Sequence, residues 1–126
     1  MGNTRDPHPG CLPNYEKAVI PREKLERYCL DPEHTSKAYG SNGKDKAYVF
    51  RAVLGIDQSH WELLRDGILN ELPYHEATLG ADDEYGQRYN VKVPITGPNG
   101  NTANVLVAWI VRPGSDSPFL ISAYVS

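Results

Sequence analysis

The order of hydrophobic patterns along the chain predicts an α+β domain, with N-terminal helices packed on a C-terminal antiparallel sheet of three to four strands. Residues 44–72 repeat apolar side chains at three- and four-residue steps. Residues 85–125 instead place runs of strand-forming residues on both sides of a tight turn signal, Gly97-Pro98-Asn99-Gly100. A length of 126 residues makes one domain that buries about two thirds of its extended surface and folds alone.

Met1 to Pro13 holds Asn, Thr, Asp, Gly and three prolines with almost nothing to bury. Residues 1–13 are therefore expected as a flexible lead-in or linker, and 14–126 as a single α+β domain. Pro21 followed by Glu23, Leu25, Tyr28 and Cys29 signals a short helix that Leu30 closes. Asp31-Pro32-Glu33-His34 reads as a turn, with Asp31 held extended by the proline. Thr35 to Gly43, rich in Ser, Asn and Gly, is expected as the most flexible interior loop. Lys44 opens a second helix with Ala47, Val49, Phe50, Val53 and Leu54 on one face and Gly55 as its stop. Asp57 or Ser59 caps a third, carrying Trp61, Leu64, Ile68 and Leu72, and Pro73 ends it. Glu76 to Leu79 is a candidate edge strand, and Gly80-Ala81-Asp82-Asp83 reads as a turn.

In the following strand, alternation puts Tyr85, Tyr89, Val91, Val93 and Ile95 on one face and Arg88, Asn90 and Lys92 on the other. The Gly97 to Gly100 stretch suits a type I turn followed by a bulge, because Pro presets φ and Gly100 accepts a positive one. A three-residue loop then pairs Ile95 with Ala103, Val93 with Val105, Val91 with Val107 and Tyr89 with Trp109. A two-residue loop would reverse which faces meet. Thr102 to Arg112 is apolar on both sides, so it is expected to be central and covered on both faces. Phe119 to Val125 is the last strand, with Phe119, Ile121 and Ala123 on one side and Leu120, Ser122 and Tyr124 on the other.

The formal charge of -3 argues against a generic polybasic nucleic-acid binder, while leaving room for a basic cleft on an acidic body. No apolar run approaches the roughly 20 residues that span a bilayer, and the N-terminus lacks the order of a signal peptide. Cys11 and Cys29 match no zinc spacing and are expected as free or buried thiols rather than a bridge. No Gly-rich phosphate loop, Gly-x-Ser-x-Gly elbow, His-Glu-x-x-His or Cys-x-x-Cys is present, so no metal site or cofactor is expected.

Pro32-Glu33-His34, Lys46-Ala47-x-Val49-Phe50, Tyr85-Gly86-Gln87-Arg88-Tyr89, Gly97-Pro98-Asn99-Gly100, Trp109-Ile110-Val111-x-x-Gly114 and Leu120-Ile121-Ser122-Ala123-Tyr124 occur in succession. Together they resemble the motifs of a largely uncharacterised bacterial domain family, found at the C-termini of polymorphic toxins and in phage-associated proteins. The resemblance runs from about Leu12 to Val125. Helices followed by a sheet are also similar to the layout shared by barnase, the colicin D nuclease, EndoU and RelE, which implies a metal-independent ribonuclease, although fold does not fix function. The chain departs from the family pattern in a longer gap between His34 and Lys46, and in Ser122 where Thr is more usual.

Cleaving RNA without a metal requires a group that takes the 2′-hydroxyl proton, one that protonates the leaving 5′-oxygen, and fixed cations around the transition state. His34 adjoins the flexible loop and suits either proton transfer, as histidine's ordinary pKa allows; a surface turn histidine is the plainer account. Lys46 stands near a helix start, where a cation opposes the macrodipole, unless Asp45 simply neutralises it. Arg88 suits a bidentate clamp on phosphate, although a charged pair on a strand is commonly just its solvated side. With Ser122, these form the expected catalytic set. Lys44, Lys92 and Tyr124 are the expected substrate-binding residues, the tyrosine by stacking on a base. His60 and His75 are expected to face solvent.

Three functions stay open: a toxin-type endoribonuclease, a non-enzymatic protein-binding or adaptor domain that uses the chain's eight tyrosines, and another toxin chemistry on nucleotides. Zinc deamination is disfavoured by the missing His-x-Glu and Pro-Cys-x-x-Cys. A toxin implies RNA as substrate, a cognate immunity protein as partner, and delivery from the producing bacterium into a target-cell cytoplasm.

Overall fold

The computed structural model of the chain describes residues 5–33 and 42–126, and it has the α+β order. Among the described residues, three helices precede a four-stranded antiparallel sheet ordered β1-β2-β3-β4. Helix α1 spans Arg22–Lys24 and continues as a π turn over Leu25–Cys29, with Pro21 at the N-cap. Helix α2 spans Asn42–Val49, continues as a second π turn over Phe50–Leu54 and ends at Gly55 in the left-handed region. It opens at Asn42 rather than at Lys44. Ala47, Phe50 and Leu54 are buried, but Val49 and Val53 are each 36% exposed. At roughly 100° per residue, those valines fall on the side opposite the Ala47 line.

Of the two caps expected for the third helix, Asp57 rather than Ser59 is used, on the 3-10 turn that leads into the helix, accepting from the Ser59 backbone N–H at 2.9 Å. The Asp57 N–H in turn donates to His60 Nδ1 at 3.1 Å, so His60 completes a reciprocal cap. After the short 3-10 turn Gln58–His60, helix α3 spans Trp61–Glu71 and buries Leu64 and Ile68, with Leu72 just beyond it.

Strands β1 (Ala77–Asp83), β2 (Gly86–Thr96), β3 (Thr102–Val111) and β4 (Phe119–Val125) form the sheet. The central hairpin has the expected register, Ile95 to Ala103, Val93 to Val105, Val91 to Val107 and Tyr89 to Trp109. Its turn closes through the Gly100 N–H on the Gly97 carbonyl at 3.0 Å, with Gly100 at φ 88°. Val91, Val93, Ile95, Val105, Val107 and Trp109 make one apolar face, on which the helices pack as a single core. The Trp109 indole N–H is buried there with no partner among the described residues.

Several expectations are corrected. Gly80-Ala81-Asp82-Asp83 lies within β1, with a register shift between Leu79 and Asp82, and the turn falls at Glu84–Tyr85. Tyr85 is therefore an exposed tip residue, not part of the apolar face. The second face of β3 is only partly covered: Ile110 is buried, while Leu106 and Ala108 stay half-exposed.

In β4, Ala108 pairs with Ser122 and Trp109 with Leu120, so Ile121 is an extra, bulged residue. The bulge breaks the strict alternation assumed from sequence. Leu120 and Ala123 enter the core together, whereas Phe119, Ser122 and Tyr124 share the outer face. Val19 bridges the start of β4 in parallel, its carbonyl accepting from the Leu120 N–H at 3.0 Å.

The stretch before Pro13 places Leu12 fully in the core. The His8 N–H donates to the Pro73 carbonyl at 2.8 Å and the Ala77 N–H to the Gly10 carbonyl at 2.9 Å. Cys11 and Cys29 are both free thiols, as expected, and Cys29 is buried.

Candidate functional site

The outer face of the sheet carries three cross-strand rows, and the bulge at Ile121 decides what the last strand adds to each. Lys92 lines up with Leu106 and Tyr124, Asn90 with Thr78, Ala108 and Ser122, and Arg88 with Ile110 and Phe119. Neighbouring strands lie about 4.8 Å apart, so β2 and β4 residues in one row stand roughly 10 Å apart.

Helix α2 packs beside β4, and from it Lys46 reaches over the sheet edge. Its Nζ lies 3.5 Å from Ser122 Oγ and 4.9 Å from the centroid of the Tyr124 ring. An ammonium over a tyrosine face is held by the ring quadrupole. Beneath this cluster, burial pushes the Cys29 thiol up, against the smaller opposing effects of the Ala123 backbone, Lys46, Lys24 and Ser122. A cation, a hydroxyl and an aromatic ring are thus brought together from sequence-distant elements. Those three groups can hold a phosphate and stack on a base.

Arg88 shares the outer face but lies in another row, and the structure does not bring it into the Lys46 cluster. Its Nη1 is 2.8 Å from Asp83 Oδ2. That guanidinium, helped by the Tyr85 N–H, holds the Asp83 carboxyl below the usual carboxylate range. Arg88 lines a groove of about 720 Å³ with Lys24, Tyr85 and Arg112 among its walls, and Arg112 stacks 4.4 Å over the Phe119 ring. Lys92 points to the opposite end of the face. His34 lies outside the described residues. Lys44 falls in the first turn of α2, and its side chain is also outside them.

Sequence reasoning missed the cleft at that opposite end. His75, Glu76, Thr78, Asn90, Lys92 and Leu106 line a space of about 310 Å³. His75 is half-buried rather than solvent-facing, and its Nε2 lies 2.9 Å from Glu71 Oε1. This contact with His75, and then Arg5, holds the Glu71 carboxyl below its ordinary range. Two signals were in the sequence: Glu71 and His75 stand four residues apart at a helix end, and Asn90 alternates with Arg88 and Lys92 on one strand face.

Among the described residues no cluster of three or more His, Cys, Asp and Glu side chains is placed to hold a metal ion. Nor is any helix among them long and apolar enough to cross a membrane.

The model of a family described as a domain of unknown function, DUF6883, matches residues 11–126. No curated protein matches the chain. Among solved structures, a chain of a contact-dependent growth inhibition toxin–immunity protein complex from Klebsiella pneumoniae 342 is similar, with a TM-score of 0.67 and 15% identity. The match covers 86% of this chain and 100% of that one. At that identity the likeness is one of fold.

Proposed function

The chain belongs to the DUF6883 family, and from that premise we propose that it is a toxin-type, metal-independent endoribonuclease. The observation that carries this reading is the Lys46 ammonium, set 3.5 Å from the Ser122 hydroxyl and over the Tyr124 ring on the outer sheet face. The fold it shares with a chain of a toxin–immunity protein complex supports a toxin-associated role.

In this reading the 2′-hydroxyl attacks the adjacent phosphorus and the P–O5′ bond breaks, leaving a 2′,3′-cyclic phosphate and a 5′-hydroxyl. Lys46 and Ser122 stabilise the charge that develops on the phosphate oxygens, and Tyr124 stacks on a base. Arg88 and Lys44 bind flanking phosphates, with Arg88 exchanging Asp83 for the substrate, and Lys92 contacts the substrate at the other end of the face. His34 serves as a proton-transfer group. The partner is a cognate immunity protein that covers this face, and the site of action is the cytoplasm of a target cell.

The alternative is a protein-binding domain without catalysis. Its specific support is the β1–β2 hairpin, where Leu79 and Tyr85 are 72% and 65% exposed.

The deciding experiment incubates the purified protein with total RNA in the presence of EDTA. Cleavage is expected, and Lys46→Ala or Ser122→Ala should each slow it roughly 100-fold, the scale set by removing one transition-state contact. Intact RNA after treatment with folded wild-type protein overturns the nuclease reading and leaves the binding domain.

A further inference from the structure

We propose that the cleft lined by His75, Glu76, Thr78, Asn90, Lys92 and Leu106 is a nucleobase-recognition subsite. It rests on the ribonuclease reading and deepens it: the cleft reads a base of the same strand whose phosphate Lys46 and Ser122 hold.

Three observations carry it. The first is uncommitted polar chemistry. Among the described residues, the side chains of Glu76, Asn90 and Lys92 make no hydrogen bond or ion pair. Many surface charges among the described residues pair elsewhere, as in Lys17 with Asp116, Arg22 with Glu26, Arg65 with Asp66 and Arg88 with Asp83, and others, Glu23, Arg27 and Arg51 among them, do not. What sets this cleft apart is that an unpaired carboxylate, carboxamide and ammonium line one concavity together.

The second is shape. At about 310 Å³ the cleft is at the small end of ligand pockets, which run from roughly 300 to 1,000 Å³. Leu106 gives it an apolar wall. The His75 ring is fixed by Glu71, which Arg5 also contacts at 3.4 Å, so an aromatic plane stands at the cleft without having to be ordered on binding.

The third is placement. Asn90 is in the row of Ser122 and Lys92 in the row of Tyr124, each two strands away. Cleft and phosphate cluster therefore lie about 10 Å apart on one surface, close enough for one short stretch of single-stranded RNA to engage both.

The chemistry selects a base edge rather than a second phosphate. A carboxylate can only accept, an ammonium can only donate, and a carboxamide does both. Glu76 beside Asn90 and Lys92 therefore matches an edge that presents donors and acceptors side by side, as nucleobases do. The Glu76 charge repels a phosphate from the same place.

The test titrates the ¹⁵N-labelled protein with each of the four nucleoside 3′-monophosphates and follows backbone amide shifts. One base should bind roughly tenfold tighter than the weakest, the discrimination one good base contact supplies, with shifts centred on residues 76–78 and 90–92. Glu76→Gln and Asn90→Ala should each erase that preference with an unchanged melting temperature, whereas Lys46→Ala should weaken all four nucleotides alike. In RNA digests, the two cleft variants should change the base at the cut site. Equal affinity for all four bases, shifts confined to the Lys46 and Tyr124 region, or a preference that survives Glu76→Gln each overturns the subsite. Cleavage of RNA by wild type beside any of those results leaves the ribonuclease reading standing. Base discrimination by a protein that cuts no RNA supports the subsite and removes the nuclease.

Discussion

Ser122 shows how much one side chain's environment narrows its job. Its hydroxyl faces Lys46 at 3.5 Å, in a row flanked by small or polar neighbours. Ser122→Thr keeps that hydroxyl and should retain ribonuclease activity within a few-fold, whereas Ser122→Ala should lose roughly 100-fold; steady-state cleavage of a short RNA separates the two. Glu71 gives the matching pH prediction. Contact with His75, and then Arg5, lowers its pKa in the folded state. A depressed carboxylate adds stability above the unfolded glutamate value, near 4.3, and that stability is lost as pH falls through the folded value. The urea midpoint of Glu71→Gln should therefore lie below wild type at neutral pH, and the gap should close as pH drops below about 4.

At the scale of elements, the β2–β3 turn is also the cap of a helix. Asn99 and Asn101 each donate a side-chain amide to the Val53 carbonyl, at 3.1 and 3.0 Å, at the point where the α2 segment ends. Gly97 packs against the same helix end, and a Cβ there would collide with the Leu54 carbonyl oxygen. Gly97→Ala should thus destabilise far more than Asn99→Ala, for which about 0.5–1.5 kcal/mol is expected from one lost hydrogen bond; chemical denaturation measures both. The bulge at Ile121 absorbs one extra residue, which is how Leu120 and Ala123 both reach the core while Ser122 and Tyr124 stay outside. Deleting Ile121 restores strict alternation with the same pairs on either side, so folding and the Lys46 cluster should survive it; deleting Ser122 instead should abolish activity, and chemical denaturation with an RNA cleavage assay compares the two.

For the whole molecule, a net charge of -3 coexists with cations gathered on one sheet face. Single-stranded RNA should bind with a modest salt dependence, and Lys46→Ala should lower the slope of log K against log salt by roughly 0.7, the share of one phosphate contact. The core on the other face is continuous from Leu12 to Ala123, so Leu64→Ala should cost about 2–5 kcal/mol, read from urea melts.

Much of this layout was written locally. The three- and four-residue spacing of Leu64, Ile68 and Leu72, the alternation through Val91, Val93 and Ile95, and the Gly97 to Gly100 turn each depend on residues close in sequence, so helices, faces and hairpin register could be read directly. The second half of β1, beyond Leu79, and the bulge could not, because a Gly-containing or shifted strand acquires its identity from the partner it pairs with. By itself, then, the sequence determined an ordered set of amphipathic elements and a polar face awaiting a use. Only tertiary structure set Lys46 against Ser122, 76 positions away, and His75 beside Lys92, since such contacts are decided by which elements pack together and which edge they reach across.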